Sequence, residues 1–411
     1  MPPEPSRRNF LAAGLALPSA ALASQATTPS PGGGQAQALP AGPKLSWRTL
    51  GKTGLRVTPL SFGCMTTSDP SVLQHAADLG IVHFDTARAY QNGNNERMVG
   101  AALKSRRKQL ILSSKSLAPT GREALAELET SLREIGTDYL DIWYLHSKMN
   151  SSDVTDDLLE AQRTARQQGK IRFAGVSTHF NMDRMLPYLV KLGRTDVVLT
   201  TYNFAMRSVD AKPNANPAAP KSDMTSAIHQ ARQAGVGIVT MKALAGGVSR
   251  VAQGDRLYGA NQQALSKQLS QPGVPAAAIR WVLRNESVDT AIVCMTDHDQ
   301  LEENVRAMAE PYSPQDERIL AQQLAHIGPS YCRMCGACNG VCEKGLPVPE
   351  VLRYLTYAEG YGQFPMARQQ FLDLPAGVRA IRCGDCDSCS VDCPNGVAVR
   401  DRMALAQELF G

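Results

Sequence analysis

The chain has 411 residues, 43% of them apolar, with 43 basic and 38 acidic side chains and a formal charge of +5. That length allows more than one domain, and the diffuse positive excess forms no basic tract of the kind that grips nucleic acid. Eight of the ten cysteines fall in the last 80 residues, which makes them a local device rather than a chain-wide disulfide framework.

The N-terminus reads Ser6-Arg7-Arg8-Asn9-Phe10-Leu11, then a short Ala-rich run, then Ala21-Leu22-Ala23. A twin arginine, a mildly apolar stretch and a small-residue cleavage site read as a twin-arginine export signal over 1–23. The expected mature start is Ser24, the expected destination the periplasm, and the first partner the twin-arginine export machinery. Beyond the signal no apolar run is long enough to span a membrane. Residues 24–45 are a Pro/Gly/Gln-rich linker with no core-forming pattern.

From 46 to 312 apolar strands alternate with amphipathic helices. Strands are expected near 58–63, 81–86, 109–114, 139–145, 171–177, 196–202, 236–241 and 289–294. Between them GREALAELETSLREIG carries apolar residues at helical spacing, and VTDDLLEAQRTARQQG stops at Gly169. Eight strands alternating with helices over about 265 residues predict an α/β fold, a (β/α)8 TIM barrel. A doubly wound sheet is the alternative, and the even spacing of polar strand ends disfavours it. Two Pro/Gly-marked segments, 205–222 and 246–273, are expected to shape the pocket as lids or plain loops.

Three strands end in polar groups. VHFDTARAY places Asp85 and Tyr90, LILSSK places Lys115, and LDIWYLH places His146, in steps of 30 and 31 residues from Asp85 to Lys115 to His146. In a parallel barrel equal steps bring side chains to the same end of neighbouring strands, the end where such folds keep their chemistry. Singly, a strand-end lysine is usually a solvated charge and a strand-end histidine a satisfied core group; together these residues point to one pocket. A phenol has a reference pKa of about 10 and needs help to release its proton at neutral pH. Lys115 would stabilise the phenolate of Tyr90, the general acid/base. Asp85 would hold Lys115 charged, and His146 would polarise a carbonyl oxygen.

The segments WRTLGKTGLRVTPLSFG, FDTARAY, SSK, YLHS, GVSTH and LEEN follow one another in the order found in aldo-keto reductases, and the chain resembles that family over roughly 46–310. The resemblance implies a nicotinamide cofactor, NAD or NADP, and a small carbonyl or alcohol substrate such as a sugar or polyol. It implies that Ser177 lies near the carboxamide and Asn304 near the adenine, with Lys242 in MKALAGG in reach of the pyrophosphate. Tyr202-Asn203 is retained, but the glutamine that usually precedes it is Leu199. The nicotinamide-stacking aromatic aligns with Met241, and the cationic pair of NADP-binding members aligns with Cys294 and Gln300. NADP grip is therefore expected to be weakened, with NAD or a differently held nicotinamide at least as favoured. Cys64 and Cys294 read as small core residues.

A linking helix near Pro314–His326, within 313–329, leads to 330–411. There CRMCGACNGVC places Cys332, Cys335, Cys338 and Cys342, and CGDCDSCSVDCP places Cys383, Cys386, Cys389 and Cys393. Each run is C-x2-C-x2-C-x3-C, the spacing of bacterial ferredoxins that hold [4Fe–4S] clusters. As in those proteins, the fourth cysteine of each run is expected to cross over. Cys393 then joins Cys332, Cys335 and Cys338, while Cys342 joins Cys383, Cys386 and Cys389. Pro394 follows the second run, but no proline follows the first directly. The insert VPEVLRYLTYAEGYGQFPMARQQFL reads helical, so the region resembles a small, mostly helical dicluster ferredoxin domain. Structural zinc and disulfides are the alternatives. Zinc needs only four ligands, and thiols this close cannot all pair without strain.

Two functions follow. One is an aldo-keto-reductase-like oxidoreductase that interconverts a carbonyl and an alcohol with a bound nicotinamide, with electrons passed through two 4Fe–4S clusters, or with both, served by a redox partner protein. The other is an iron–sulfur electron-transfer or binding protein whose barrel has lost nicotinamide binding.

Overall fold

The computed structural model describes residues 45–206, 224–245 and 273–411. The expected signal, the linker up to residue 44 and nearly all of both expected lid segments lie outside the described residues. Eight parallel strands close a barrel: β3 (Leu60–Gly63), β4 (His83–Asp85), β5 (Ile111–Ser116), β6 (Leu140–Leu145), β7 (Ile171–Thr178), β8 (Val197–Thr201), β9 (Gly237–Met241) and β10 (Thr290–Cys294), with β10 pairing back onto β3. Each lies within about two residues of its sequence expectation, and the doubly wound alternative is excluded by the closure. Helices between the strands start on side-chain caps. The Thr120 hydroxyl accepts the Glu123 N–H at the head of Gly121–Ile135, and Asp297 caps His298–Ala309. Among the described residues no helix is long and apolar enough to cross a membrane.

One element had no sequence signal. Two-residue strands β1 (Arg48–Thr49) and β2 (Arg56–Val57) form an antiparallel hairpin below the barrel. It sends Leu50, Leu55 and Val57 into a core shared with Ile142, Tyr144, Val197, Leu199, Val239 and Ile292. Gly51 makes that plug possible. Its φ is +49°, and an added Cβ would stand 2.3 Å from the Gly237 nitrogen. The plug closes the barrel floor, leaving the end where the strands terminate as the mouth.

The linking helix runs Pro314–Ile327, opened by a capping box between Ser313 and Asp316. Asp316 also pairs with Arg280 of the helix Val274–Leu283, which clamps the linker to the barrel. The remaining chain is helical: Val348–Leu355, a wide turn Thr356–Gly360, then Phe364–Leu372, Ala376–Ala380 and Val399–Phe410. These elements share their own core, with Leu352, Leu355, Phe371, Met403 and Phe410 buried. A buried ion pair, Arg402 with Glu359, fastens the last helix to the turn.

This helical part is seated on the barrel mouth. Tyr331 and Met334, at its start, belong to the barrel's core, and Asn203 donates 2.9 Å to the Tyr331 phenol oxygen. Gly336 touches the loop after β7 so closely that a Cβ would meet Asn181 Oδ1 at 1.9 Å.

Candidate active site

Strand pairing sets Asp85 beside Gly63 on one side and Ser113 on the other, at the mouth end of β4. The carboxylate is fully engaged. Ser113 Oγ donates 2.6 Å to Oδ1, and Lys115 Nζ donates 2.5 Å to Oδ2. Lys115 is 1% exposed, and its other acceptors are the Thr86 carbonyl at 2.7 Å and the Tyr90 phenol oxygen at 3.3 Å. The His146 ring meets the Tyr90 ring edge-on, with centroids 6.0 Å apart. The four residues picked out by strand spacing are thus brought together.

Tyr90 is held by an unusual turn. Gln91 and Asn92 both adopt left-handed backbone angles, φ 50° and 53°, which cost non-glycine residues about 1–3 kcal/mol each. Two anchors hold that conformation. Gln91 donates to the carbonyls of Met65 and Thr67. Arg88 pairs at 2.5 Å with Glu96, which is fully buried and also accepts from Ser114.

Electrostatics sort the roles. Burial, reinforced by the Asp85 charge, pushes the Tyr90 phenol well above its ordinary range, so it holds its proton. Burial, then Lys115 and Arg353, push His146 well below its ordinary range, so its ring is neutral. The His146 Nδ1 is sealed from water with no hydrogen-bond partner.

Above these residues opens a cavity of about 810 Å³. Its barrel walls include Leu199, Met241, Lys242, Cys294, Gln300 and Asn304, and its roof is Arg353, Tyr354, Tyr357, Tyr361 and neighbours from the segment between the cysteine runs. Of the four residues expected around a nicotinamide, Met241, Lys242 and Asn304 line this cavity. Ser177 does not: it is fully buried, and its hydroxyl accepts the Ser147 N–H at 2.8 Å. Cys64 is a core residue as expected and also touches the cavity; Cys294 is only partly buried and belongs to the wall rather than the core. Gln300 spends its amide on Thr296 and Asp297, and the acidic Glu303 and Asp373 also line the cavity.

Sequence reasoning missed the roof. Arg353, Tyr357 and Tyr361 recur every four residues in RYLTYAEGY, the spacing of one helix face. That was the available signal. His179, in the quoted GVSTH segment, was also missed; it accepts from Lys242 Nζ at 2.7 Å.

Cys332 lies in electrostatic reach of Cys335, Cys338 and Cys393, and Cys383 of Cys342, Cys386 and Cys389. Donors turned toward sulfur include the Met334 N–H to Cys332 and the Asn395 amide to Cys335, both at 3.4 Å. Among the described residues no three His, Cys, Asp or Glu side chains converge as ligands of a metal ion.

Comparisons with known proteins agree with this geometry. The chain is 27% identical over 319 residues to L-glyceraldehyde 3-phosphate reductase of Escherichia coli O157:H7, covering 64% of this chain and 88% of that protein. It is 25% identical to L-galactose dehydrogenase of Arabidopsis thaliana, covering 70% and 95%. A shorter match, 31% identity over 148 residues, links it to the uncharacterized oxidoreductase YqkF of Bacillus subtilis and spans about half of that protein (48%). Among solved structures, the holo form of aldo-keto reductase AKR11C1 from Bacillus halodurans superposes with a TM-score of 0.53 at 25% identity, over 68% of this chain and 96% of that one. A model of the aldo/keto reductase family matches residues 66–324, the span that holds Asp85, Tyr90, Lys115 and His146, and the chain belongs to that family of oxidoreductases.

Proposed function

We propose that this protein is a periplasmic carbonyl–alcohol oxidoreductase in which an aldo/keto reductase barrel is joined to a dicluster iron–sulfur domain. The observation that carries the reading is the position of the cysteine-bearing part, whose inter-motif segment roofs the cavity over Tyr90 and His146. The twin arginine at Arg7-Arg8 supports export after folding.

In the reductive direction the substrate's carbonyl oxygen sits between Tyr90 and His146. The neutral imidazole polarises it by hydrogen bonding. Tyr90 keeps its proton until negative charge builds on that oxygen, then donates it. Lys115, 3.3 Å from the phenol oxygen, takes up the phenolate charge, and Asp85 keeps Lys115 in place. Overall, the carbonyl takes up an electron pair and two protons, one at carbon and one at oxygen, and becomes the alcohol.

The residues fit two clusters. In support, Cys335, Cys338 and Cys393 act on Cys332, and Cys342, Cys386 and Cys389 on Cys383, the sets expected from ferredoxin spacing, and N–H groups turn toward sulfur. A cubane spreads its four ligands more widely than a single zinc ion, which holds each thiolate at about 2.3 Å. When bound, such clusters supply electrons singly, and two of them together supply the pair that carbonyl reduction consumes. A redox partner protein at the exposed Cys389 end would be their source.

The groove from Met241 to Asn304 fits a firmly held NADP poorly. Leu199 offers no hydrogen bond, Ser177 is committed to Ser147, and Gln300, Glu303 and Asp373 bring no positive charge. These positions support NAD over NADP. They also favour the second reading, an iron–sulfur electron-transfer or binding protein on a barrel without nicotinamide. The names L-glyceraldehyde 3-phosphate reductase and L-galactose dehydrogenase support a small aldehyde, sugar or polyol as substrate.

The test uses protein purified anaerobically after folding in its host. Iron, acid-labile sulfide and released nucleotide are assayed together, with carbonyl reduction measured for wild type and Tyr90→Phe. About eight irons per chain and Tyr90-dependent turnover support the proposal, and Cys383→Ser should halve the iron. Absence of iron, or a fully active Tyr90→Phe, overturns it. Eight irons without Tyr90-dependent turnover or nucleotide uptake select the second reading.

A further inference from the structure

Cations that fold into this molecule usually meet a carboxylate. Lys115 has Asp85, Arg88 has Glu96, Arg107 has Asp141, Arg280 has Asp316 and Arg402 has Glu359. Two cations on the cavity wall break that habit. Lys242, on the barrel just after β9, gives its Nζ to His179, and the same Nζ stands 5.6 Å above the Tyr357 ring. Arg353, on the roof helix Val348–Leu355, gives its Nη1 to the Tyr357 phenol oxygen at 3.0 Å and to Gln370 at 3.4 Å. Its Nε is sealed from water with no hydrogen-bond partner. Among the described residues neither cation has an acidic group within ion-pair distance. Glu350 acts on Arg353 only at longer range, after Tyr357 and Tyr354.

Leaving such charges unpaired and partly out of bulk water is costly. The molecule disperses this cost through neutral groups. Tyr357 lies between the two cations; burial would raise its phenol, but Arg353 and Lys242 outweigh that and bring it down to about 8. Both cations are also felt at His146, so the positive field reaches the atoms that would hold a carbonyl oxygen. The barrel and the appended part each supply one cation, and neither wall is complete without the other.

We infer that Lys242 and Arg353 form an oxyanion subsite, and that the substrate is a small carbonyl or hydroxy compound carrying a negatively charged group, a carboxylate or a phosphate, within a small molecule's length of its reacting carbon. This rests on the oxidoreductase reading and specifies its substrate. The planar Arg353 guanidinium matches a two-oxygen anion, and its Nε–H is left without a protein partner. Lys242 closes the other side as a point charge. The Tyr361 hydroxyl, also buried without a hydrogen-bond partner, lines the same cavity.

The test runs on the full, cluster-loaded chain, with paired probes that differ only in charge: glyoxylate against its ethyl ester, and glyceraldehyde 3-phosphate against glyceraldehyde. Binding of inorganic phosphate is measured separately by calorimetry. The charged member of at least one pair should be turned over with kcat/KM about 10- to 100-fold higher, the range expected for charge-assisted hydrogen bonds. Arg353→Gln should erase that preference, read as the ratio of kcat/KM for the charged over the uncharged probe, whatever the change in the uncharged probe's own rate. Lys242→Gln, on the other wall, should likewise abolish the charged-over-uncharged ratio, which keeps the test decisive if the roof variant loses its fold. Whichever pair responds identifies carboxylate or phosphate. Tyr90-dependent reduction of the uncharged probes with no charge preference overturns this inference and leaves the oxidoreductase reading standing. No reduction of any probe removes that reading; phosphate binding that still depends on Arg353 then keeps the anion site. If only NAD and ADP bind in an Arg353- and Lys242-dependent manner, the cations serve a nucleotide pyrophosphate and the inference fails.

Discussion

Asparagine at position 85 isolates the ion pair on which the site is built. Asp85 is 3% exposed and Lys115 1%, and their contact is 2.5 Å. In Asp85→Asn the Ser113 hydroxyl keeps an acceptor, so the shape survives. Lys115 keeps only the Thr86 carbonyl and the Tyr90 phenol, both neutral. Breaking a buried pair by removing one partner costs about 3–5 kcal/mol, because the orphaned charge remains out of water. That corresponds to about two to four decades in the folding equilibrium at about 1.36 kcal/mol per decade. Urea unfolding followed by tryptophan fluorescence reads the loss. The decisive comparison is the double variant Asp85→Asn with Lys115→Met, which carries no orphaned charge. It should be more stable than Asp85→Asn alone by about 2 kcal/mol or more, yet equally inactive in carbonyl reduction. Additive single-variant effects, or a cost below about 1 kcal/mol for Asp85→Asn, would refute the view of Lys115 as a buried cation held by Asp85.

Acid should destabilise the barrel through His83, which lies between the Ser61 and Ser113 hydroxyls at 3.0 Å each and is lowered by burial from 6.5 to about 4. Its folded value is depressed, so the stabilisation is complete above about pH 6.5 and lost as pH falls toward 4. The loss reaches about 3 kcal/mol at pH 4, and His83→Gln should flatten that part of a stability-against-pH curve. Reduction rates should show no limb from His146 between pH 6 and 8, since its ring stays neutral, and no limb from Tyr90 up to about pH 9; a His146 limb near 6.5 would contradict the assigned protonation state. Gly51→Ala should lower the melting temperature far more than Gly54→Ala. Both have positive φ, but only Gly51 has backbone 2.3 Å from the added carbon, while Gly54 has open space. Replacing Arg7 and Arg8 with lysine should retain the protein in the cytoplasm, as read by cell fractionation.

The barrel was legible because its evidence is local and repeated. Every strand is an apolar run bounded by turn residues, and three polar strand ends fall at nearly equal intervals, so Asp85, Lys115 and His146 could be superimposed without knowing a single contact. Ser177 shows the limit of that reasoning. A position on a strand says which end a side chain occupies, but the left-handed turn at Ser147, φ 56°, brings a backbone N–H to the hydroxyl and removes it from the cavity. The β1–β2 hairpin was invisible because two-residue strands carry no periodicity. The roof was invisible for a different reason. Arg353 and Tyr357 lie more than 200 residues from Tyr90 and His146 in the chain, and their meeting depends on how the helical part is seated, through Tyr331, Met334 and Gly336. Nothing in the local pattern of 348–361 encodes that seat.

The roof of the cavity is strung between the two cysteine runs, beginning six positions after Cys342 and ending before Cys383. Whatever occupies the cysteines therefore fixes both ends of the segment that carries Arg353 and Tyr357. If the proposed clusters fill the cysteines, their binding and that of a ligand under the roof are linked, and linkage is reciprocal. A ligand seated under the roof would then tighten cluster binding by the same free energy with which the clusters tighten the ligand. Because the roof hangs between the two runs, a change at either run is expected to be read at Arg353 and Tyr357, the groups that close the cavity.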